Sequence, residues 1–135
     1  MEFIKWTNDY SVDIQSIDDQ HKTLFVMIND YYEAVRQKQS NQGLKILIGK
    51  LLNYTNFHFK NEERYFDKFL YSQAESHKKL HQVYISKIEE VKNRLENNKM
   101  VLPVEVGTFL RDWLYQHIKV EDKKYSAFLK EKGIK

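Results

Sequence analysis

The five histidines of this chain are the residues best suited to metal chemistry, and two carboxylates complete one spacing pattern with them. His58 precedes Glu62 by four positions, and His77 precedes His81 by the same interval. Side chains four positions apart lie on one face of an α-helix, so each pair can offer two ligands to a single site. The candidate ligands are His21, His58, Glu62, His77, His81, His117 and Asp122.

The last two candidates, His117 and Asp122, are five positions apart, an interval that does not fit a regular helix. At 3.6 residues per turn, the two side chains would point about 140° apart around the helix axis. We therefore predict a π-bulge or a loosened turn between them, a distortion that is common at functional sites. On simple helix geometry Glu121, four positions after His117, is the alternative ligand.

Seven candidate ligands are more than one ion needs, and the absence of cysteine leaves nitrogen and oxygen to hold any metal. Two octahedral ions offer twelve ligand positions. If both carboxylates and one solvent-derived oxygen bridge the ions, these groups and the histidines fill eleven positions and leave one vacancy. Imidazole with carboxylate suits iron, although zinc and copper also fit. A reduced iron pair with one open position would bind O2.

Each stretch that carries ligands predicts a helix, because apolar residues recur in it at intervals of three and four. Ser16 with Asp19 has the spacing of a capping box and predicts the start of the first helix. Ser72 with Glu75 has the same spacing and predicts the start of the third. The second helix is expected to begin near Asn41, after a polar turn.

Helices with short connections predict an all-α fold, an antiparallel up-down-up-down four-helix bundle. Pro103 suits the first turn of the fourth helix. We expect one domain over residues 1–135, with an extended N-terminal arm over 1–16 and the bundle over 17–130. Residues equally far from a hairpin turn lie at similar heights, since each helix rises about 1.5 Å per residue. All the candidate ligands can therefore meet in one layer of the core.

Charge and hydropathy exclude several classes of function. The net charge of +3 arises from 22 basic and 19 acidic residues spread along the chain, so we expect neither a nucleic-acid partner nor a membrane surface. No apolar run reaches the length of a bilayer span, and the N-terminus lacks the pattern of a secretory signal. We expect a cytoplasmic monomer, and no feature of the sequence identifies a protein partner.

The ordered elements His, His-x-x-x-Glu, His-x-x-x-His and His-x-x-x-x-Asp resemble the hemerythrin family, specifically its single-domain bacterial members. The resemblance extends from Trp6 to beyond Asp122, and its five-position interval favours Asp122 over Glu121 as a ligand. It implies a non-haem centre of two iron ions with an oxo or hydroxo bridge. In that arrangement His77, His81 and His117 hold the saturated iron, His21 and His58 hold the iron with the vacancy, and Glu62 and Asp122 bridge them.

The resemblance also implies an apolar O2 pocket, formed by Leu24, Phe59, Trp113, Leu114 and Ile118. Such a wall would keep water and acids away from bound O2, and none of these side chains can donate a proton as Lys, Glu or His would. Tyr125, three positions after Asp122, is a candidate for contact with the ligands.

The function expected from the resemblance is reversible O2 binding for carriage, storage or delivery, without an enzyme's turnover. One alternative is a di-iron enzyme, an oxidase, peroxidase or nitric oxide scavenger, and such chemistry could also be a side activity. Another is an O2 or redox sensor that acts through a separate partner. Ferroxidase chemistry is disfavoured, because the candidate ligands contain no Glu-x-x-His pair of the ferritin-like type.

Overall fold

The regular elements of the chain are helices wherever the structure describes it. A computed structural model describes residues 4–38, 40–99, 101 and 103–134, so the first three residues of the predicted arm and the last residue of the predicted domain lie outside it. A 3₁₀ turn, Asn8–Tyr10, interrupts the arm. The helices that follow are α1 (Gln15–Arg36), α2 (Asn41–Lys68), α3 (Ala74–Glu96), α4 (Pro103–Gln116), a π-helical segment (His117–Asp122) and α5 (Lys123–Glu131).

These helices form a four-helix bundle, in which α4, the π segment and α5 together make the fourth rod. The predicted fold class is confirmed. Short turns join successive rods, so neighbours run in opposite directions. Among the described helices, none combines the length and the apolar character that crossing a bilayer requires.

The buried side of α2 explains how the sequence positions its ligands. Leu51, Thr55, His58, Glu62 and Phe66 all lie in its buried stripe and follow the three-four interval of a helix packed along one face. Because the two ligand positions belong to the same stripe as apolar neighbours, the packing of α2 turns them into the core.

The buried apolar residues form two clusters, and the ligand positions fall between them along the rods. Leu24 and Phe59 belong to the larger cluster, while Ile17 and Phe66 belong to the smaller one. His21 lies between Ile17 and Leu24 in α1, and Glu62 lies between Phe59 and Phe66 in α2. A polar layer therefore crosses an otherwise apolar interior.

The helix starts differ from the capping boxes expected from the sequence. α1 begins at Gln15 and is preceded by Ile14, and no side chain of the described part of the chain caps it. Asp19 instead accepts a hydrogen bond from Gln15 Nε2 at 2.7 Å. Both predicted capping boxes were wrong, because the residue before α1 is the buried, apolar Ile14 and the residue before α3 is Gln73, whose side chain does not cap the helix.

In the part of the chain that the structure describes, the start of α3 lacks a side-chain cap, whereas the start of α2 has one. α3 begins at Ala74, two positions after Ser72, and among the described residues no side chain caps it. At the start of α2, Ser40 Oγ accepts a hydrogen bond from the Gly43 amide at 3.3 Å. The expected start of α2 near Asn41 is confirmed, and so is the position of Pro103 at the start of α4.

The helices end in a common motif that keeps the turns short. After α2 and α3 the chain passes through Leu70 and Asn98, both in the left-handed region with φ near 56° and 55°. The next amide then bonds back to the helix, from Tyr71 to the Phe66 carbonyl at 2.9 Å and from Lys99 to the Arg94 carbonyl at 2.8 Å. This Schellman arrangement satisfies terminal carbonyls and reverses the chain within a few residues.

The N-terminal arm is fastened to both the first and the fourth rods. Asn29 in α1 bonds both backbone groups of Ile4, each at 2.9 Å. The Val12 amide donates to Asp18 Oδ1 at 2.9 Å, and Ser126 Oγ in α5 donates to the Val12 carbonyl. The single peptide region at Val12 thus ties α1 to α5 beside the ligand layer.

Loss of the Asp18 carboxylate should loosen this attachment. We expect Asp18→Ala to lower the free energy of unfolding by about 2 kcal/mol, because the buried Val12 amide would lose its acceptor. Chemical denaturation of both proteins in the same metal state measures the difference. The matched control is Asp30→Ala, an exposed carboxylate of α1 that should change stability by less than about 0.5 kcal/mol. Equal effects of the two variants would contradict the role assigned to Asp18.

Candidate metal centre

The structure brings all seven predicted ligands together in the layer between the two apolar clusters. None of these side chains is more than 3% exposed. The first rod supplies His21, the second supplies His58 and Glu62, the third supplies His77 and His81, and the π segment supplies His117 and Asp122.

The π segment has the position that the five-residue interval predicted. It spans His117–Asp122, so its ends are the two candidate ligands themselves. The wider helical turn brings both side chains to the interior, where each is buried. Glu121 is instead paired with Lys124, whose Nζ lies 3.1 Å from its Oε2. The predicted distortion is confirmed, and it is Asp122 that lies beside the histidines.

Asp122 contacts histidines from three different rods through its two oxygens. Oδ1 lies 2.9 Å from His77 Nε2 and 3.1 Å from His117 Nε2. Oδ2 lies 3.2 Å from His21 Nε2. The two oxygens therefore face different groups of imidazoles, which is the arrangement that a carboxylate needs to serve two ions.

Glu62 occupies the corresponding position on the opposite rod. Its Oε1 lies 3.1 Å from His58 Nε2 and 3.5 Å from His81 Nε2. Its Oε2 accepts a hydrogen bond from the hydroxyl of Tyr125, a fully buried residue of α5. The predicted contact of Tyr125 with the ligands is confirmed. Glu62 belongs to two groups of candidate ligands, one with His77, His81 and His117 and the other with His21 and His58.

The close contacts in this layer are not satisfied as hydrogen bonds. Glu62 Oε1 and both Asp122 oxygens have no hydrogen-bonding partner in the described part of the chain, although imidazole nitrogens lie nearby. His21 Nε2 and His77 Nε2 are also buried without a partner among the described residues. Buried polar atoms left in this state cost free energy. These carboxylate oxygens and imidazole nitrogens lie close together but do not share protons in hydrogen bonds. Such an arrangement fits a layer that binds cations.

The contact between His81 and His117 also favours a positive charge in this layer. His81 Nδ1 lies 2.8 Å from Glu63 Oε2, and a carboxylate can only accept, so this nitrogen bears the proton. In the neutral ring, Nε2 is then an unprotonated donor atom for a metal. It lies 3.1 Å from His117 Nε2, and two nitrogen lone pairs at that distance repel each other unless a cation or a proton lies between them.

The electrostatics of the layer also favour positive charge. Burial opposes ionisation of Glu62 and Asp122, but the surrounding imidazoles outweigh it and hold the pKa of each carboxyl well below its usual range. Burial likewise opposes a charged His81, yet the adjacent carboxylates of Glu62 and Glu63 raise its pKa to about 9. Two buried anions thus draw cations, and the donor set of nitrogen and oxygen fits iron.

Two outer hydrogen bonds orient ligand rings, and neither was predicted from the sequence. Gln20 Oε1 accepts from His58 Nδ1 at 2.6 Å, and Glu63 Oε2 accepts from His81 Nδ1 at 2.8 Å. Each outer residue is adjacent in sequence to a ligand but contacts a ligand on another helix. In the sequence, these two residues are recognisable only as polar residues next to a ligand. Polar residues are so common that this position does not identify a contact.

Apolar and aromatic side chains border the ligand layer on one side. The predicted pocket residues Leu24, Phe59, Leu114 and Ile118 are buried in one cluster, and Trp113 packs against it. Phe59 stacks on His81 with ring centroids 3.7 Å apart and planes within 5°. Trp113 stacks on His117 at 4.2 Å and 16°. The two aromatic rings therefore cover imidazole faces as well as lining the apolar side.

Known proteins are similar to this chain in sequence and in fold. Residues 12–129 match a family model described as the hemerythrin HHE cation binding domain. The chain is 32% identical over 125 residues to a bacteriohemerythrin of Pseudomonas aeruginosa, which covers 93% of this chain and 80% of that protein. It is also 32% identical over 126 residues to myohemerythrin-1 of Phascolopsis gouldii, with 92% of each chain covered.

Solved structures give the same relationship in three dimensions. A crystal structure of wild-type hemerythrin superposes with a TM-score of 0.85 at 26% sequence identity, covering 92% of this chain and 95% of that one. A crystal structure of a hemerythrin mutant superposes with a TM-score of 0.87, also at 26% identity, and covers 94% and 97%.

Removal of the Tyr125 hydroxyl should weaken the metal-free bundle. We expect Tyr125→Phe to lower the free energy of unfolding by about 2 kcal/mol, because Glu62 Oε2 would lose its donor within the core. Thermal or chemical denaturation of the metal-free proteins measures the change. Tyr115→Phe is the matched control, since Tyr115 is 54% exposed and a phenyl ring preserves its contact with Lys119. A Tyr125→Phe protein as stable as the wild type would show that this hydroxyl does not support Glu62.

Proposed function

This chain belongs to the hemerythrin HHE cation-binding family, and from that membership we propose that it binds O2 reversibly at a non-haem di-iron centre. The observation that carries the proposal is the layer of five buried imidazoles around two buried carboxylates whose oxygens lack hydrogen-bond partners in the described structure. A hydrogen-bonded core would pair these atoms with one another. A cation-binding core leaves them free to converge.

The proposed ligands divide into two groups joined by the carboxylates. His77, His81 and His117 would hold one iron, and His21 and His58 would hold the other. Asp122 supports this division, since Oδ1 faces His77 and His117 while Oδ2 faces His21. Glu62 supports it from the second rod, since Oε1 lies between His58 and His81. These contacts support the proposal that both carboxylates bridge the two ions.

When bound, the iron pair supplies the electrons that make O2 binding possible. The protein's own side chains determine what else reaches it. Leu24, Phe59, Leu114 and Ile118 are buried and carry no proton donor, and Trp113 covers the ring of His117. These residues would exclude water and acids from the O2 position, so that bound O2 can leave unchanged.

An O2 carrier is a better match to these side chains than an enzyme. Reductive chemistry on O2 requires protons at the reacting atoms, and the predicted pocket residues offer none except the Trp113 indole. The nearby hydroxyl of Tyr125 is engaged by Glu62. We propose that reactions with peroxide or nitric oxide are side activities of the same centre.

The setting in which the protein works is predicted from its sequence alone. A cytoplasmic location, a monomeric state and the lack of nucleic-acid and membrane partners stay predictions. The evenly mixed charge is the reason for expecting neither a nucleic-acid partner nor a membrane partner.

Metal stoichiometry tests the ligand assignment. We expect the wild-type protein, loaded with ferrous iron without oxygen and then desalted, to retain two irons per chain in elemental analysis. Asp122→Asn should retain fewer, because an amide is a weaker ligand and cannot bridge as an anion. Glu121→Gln is the matched control and should retain two, since Glu121 is paired with Lys124. Equal iron loss from both variants would overturn the assignment of Asp122 as a ligand, and one iron or none in the wild type would overturn the di-iron assignment.

Optical cycling tests reversible binding. We expect the reduced, iron-loaded protein to develop a visible absorption band on exposure to air and to lose it when O2 is removed, over repeated cycles. The physical reason is the apolar pocket, which denies bound O2 the additional protons needed for its further reduction and release. Oxidation in a single exposure, without a band that disappears again, would instead favour the enzyme alternative.

A further inference from the structure

Two ligand imidazoles are held from outside the metal layer by acceptors of different charge. His81 donates from Nδ1 to the carboxylate of Glu63 at 2.8 Å. His58 donates from Nδ1 to the neutral amide oxygen of Gln20 at 2.6 Å. Both acceptors fix which ring nitrogen carries the proton, so that Nε2 faces the metal layer. They differ in charge, and therefore in how strongly they polarise the ring.

Glu63 connects the buried layer with the surface. The His81 side chain is 1% exposed, whereas that of Glu63 is 26% exposed. Glu63 also lines a surface depression with Asp67 and with three cations, Lys60, Arg64 and Lys68, so its carboxylate is partly hydrated and lies close to positive charge. A carboxylate in this position keeps its charge without the cost of full burial.

The orientation of the His81 ring has a second support, which separates charge from geometry. Phe59 stacks on the imidazole with centroids 3.7 Å apart and planes within 5°. A change from carboxylate to amide at position 63 keeps an acceptor for Nδ1 and leaves this stacking in place. Such a change would therefore alter the electron density of the ring more than its position.

We propose that Glu63 is a positioning residue that makes His81 the stronger electron donor, so that the metal position served by His81 is oxidised more readily than the one served by His58. The inference rests on the proposed di-iron function. An anionic acceptor on one ring nitrogen increases the basicity of the other, and stronger donation stabilises the higher oxidation state of the bound metal. Gln20 orients His58 without adding this charge. The outer hydrogen bonds thus make the two metal positions electronically unequal.

Midpoint potentials of the iron-loaded protein test this inference. Spectroelectrochemical titration would compare the wild type with Glu63→Gln and Gln20→Glu. We expect Glu63→Gln to raise the potential of one of the two one-electron steps by about 59 mV, which corresponds to a tenfold change in the equilibrium constant. Gln20→Glu should lower the potential of the other step, because His58 would gain the charged acceptor. A merely structural role for either residue would not produce shifts of opposite sign.

Two further measurements complete the design. Glu89→Gln on α3 removes the same charge from an exposed position and should leave both potentials unchanged. Release of iron to a chelator should be about tenfold faster from Glu63→Gln than from the wild type, since outer partners of metal-binding histidines typically contribute at least that factor in affinity.

The outcomes distinguish this inference from the function on which it rests. If the wild type does not hold two irons, the proposed function fails. If it holds two irons and Glu63→Gln leaves both potentials and the release rate unchanged, the role of Glu63 is overturned. If Glu63→Gln is folded by circular dichroism but loses iron that Glu89→Gln retains, the role is supported. In that case the midpoint potentials of Gln20→Glu are measured instead. Unchanged potentials in that variant would overturn the proposal that a charged acceptor on a ligand histidine lowers the midpoint potential.

Discussion

The structure depends on the burial of two carboxylates within a bundle whose interior is otherwise largely apolar. Glu62 and Asp122 have no exposed surface, and three of their four oxygens lack a hydrogen-bond donor in the described part of the chain. An unpaired buried charge costs several kcal/mol, so the layer needs cations to be stable. The five imidazoles provide neutral donors around the same ions, and every rod of the bundle is thereby joined to one centre. Metal binding and folding are coupled in such a site.

On the fourth rod, the π segment allows two ligands five positions apart to reach the same buried layer. A regular helix would direct either His117 or Asp122 away from the layer, whereas the wider turn buries both. The arm packs on this region from outside. Lys119 of the π segment lies between the rings of Tyr10 and Tyr115, at 4.7 Å from each centroid. The distorted turn is thus held from its outer face as well as from the metal side.

The sequence predicts the parts of this structure that repeat with a helical period. The three-four interval of apolar residues predicts the bundle and the buried stripe of α2. The intervals between the candidate ligands predict the ligand layer and the π segment. The start of α1 was not predictable from a capping pattern, because the residue before it is the buried, apolar Ile14, whose side chain offers no hydrogen bond. Gln20 and Glu63 were missed for a related reason. Their contacts cross between helices, and the rotation that brings them to His58 and His81 is set by packing over the whole interface.

The distribution of ligands along the chain has a consequence for the order in which the site can assemble. α2 and α3 form one hairpin with a short turn, and they carry His58, Glu62, His77 and His81. The contact of Ser126 with Val12, in contrast, joins residues 114 positions apart. Closing a long loop costs more conformational entropy than closing a short one. The hairpin therefore carries four of the seven candidate ligands within one local element, whereas His117 and Asp122 belong to the rod that is synthesised last.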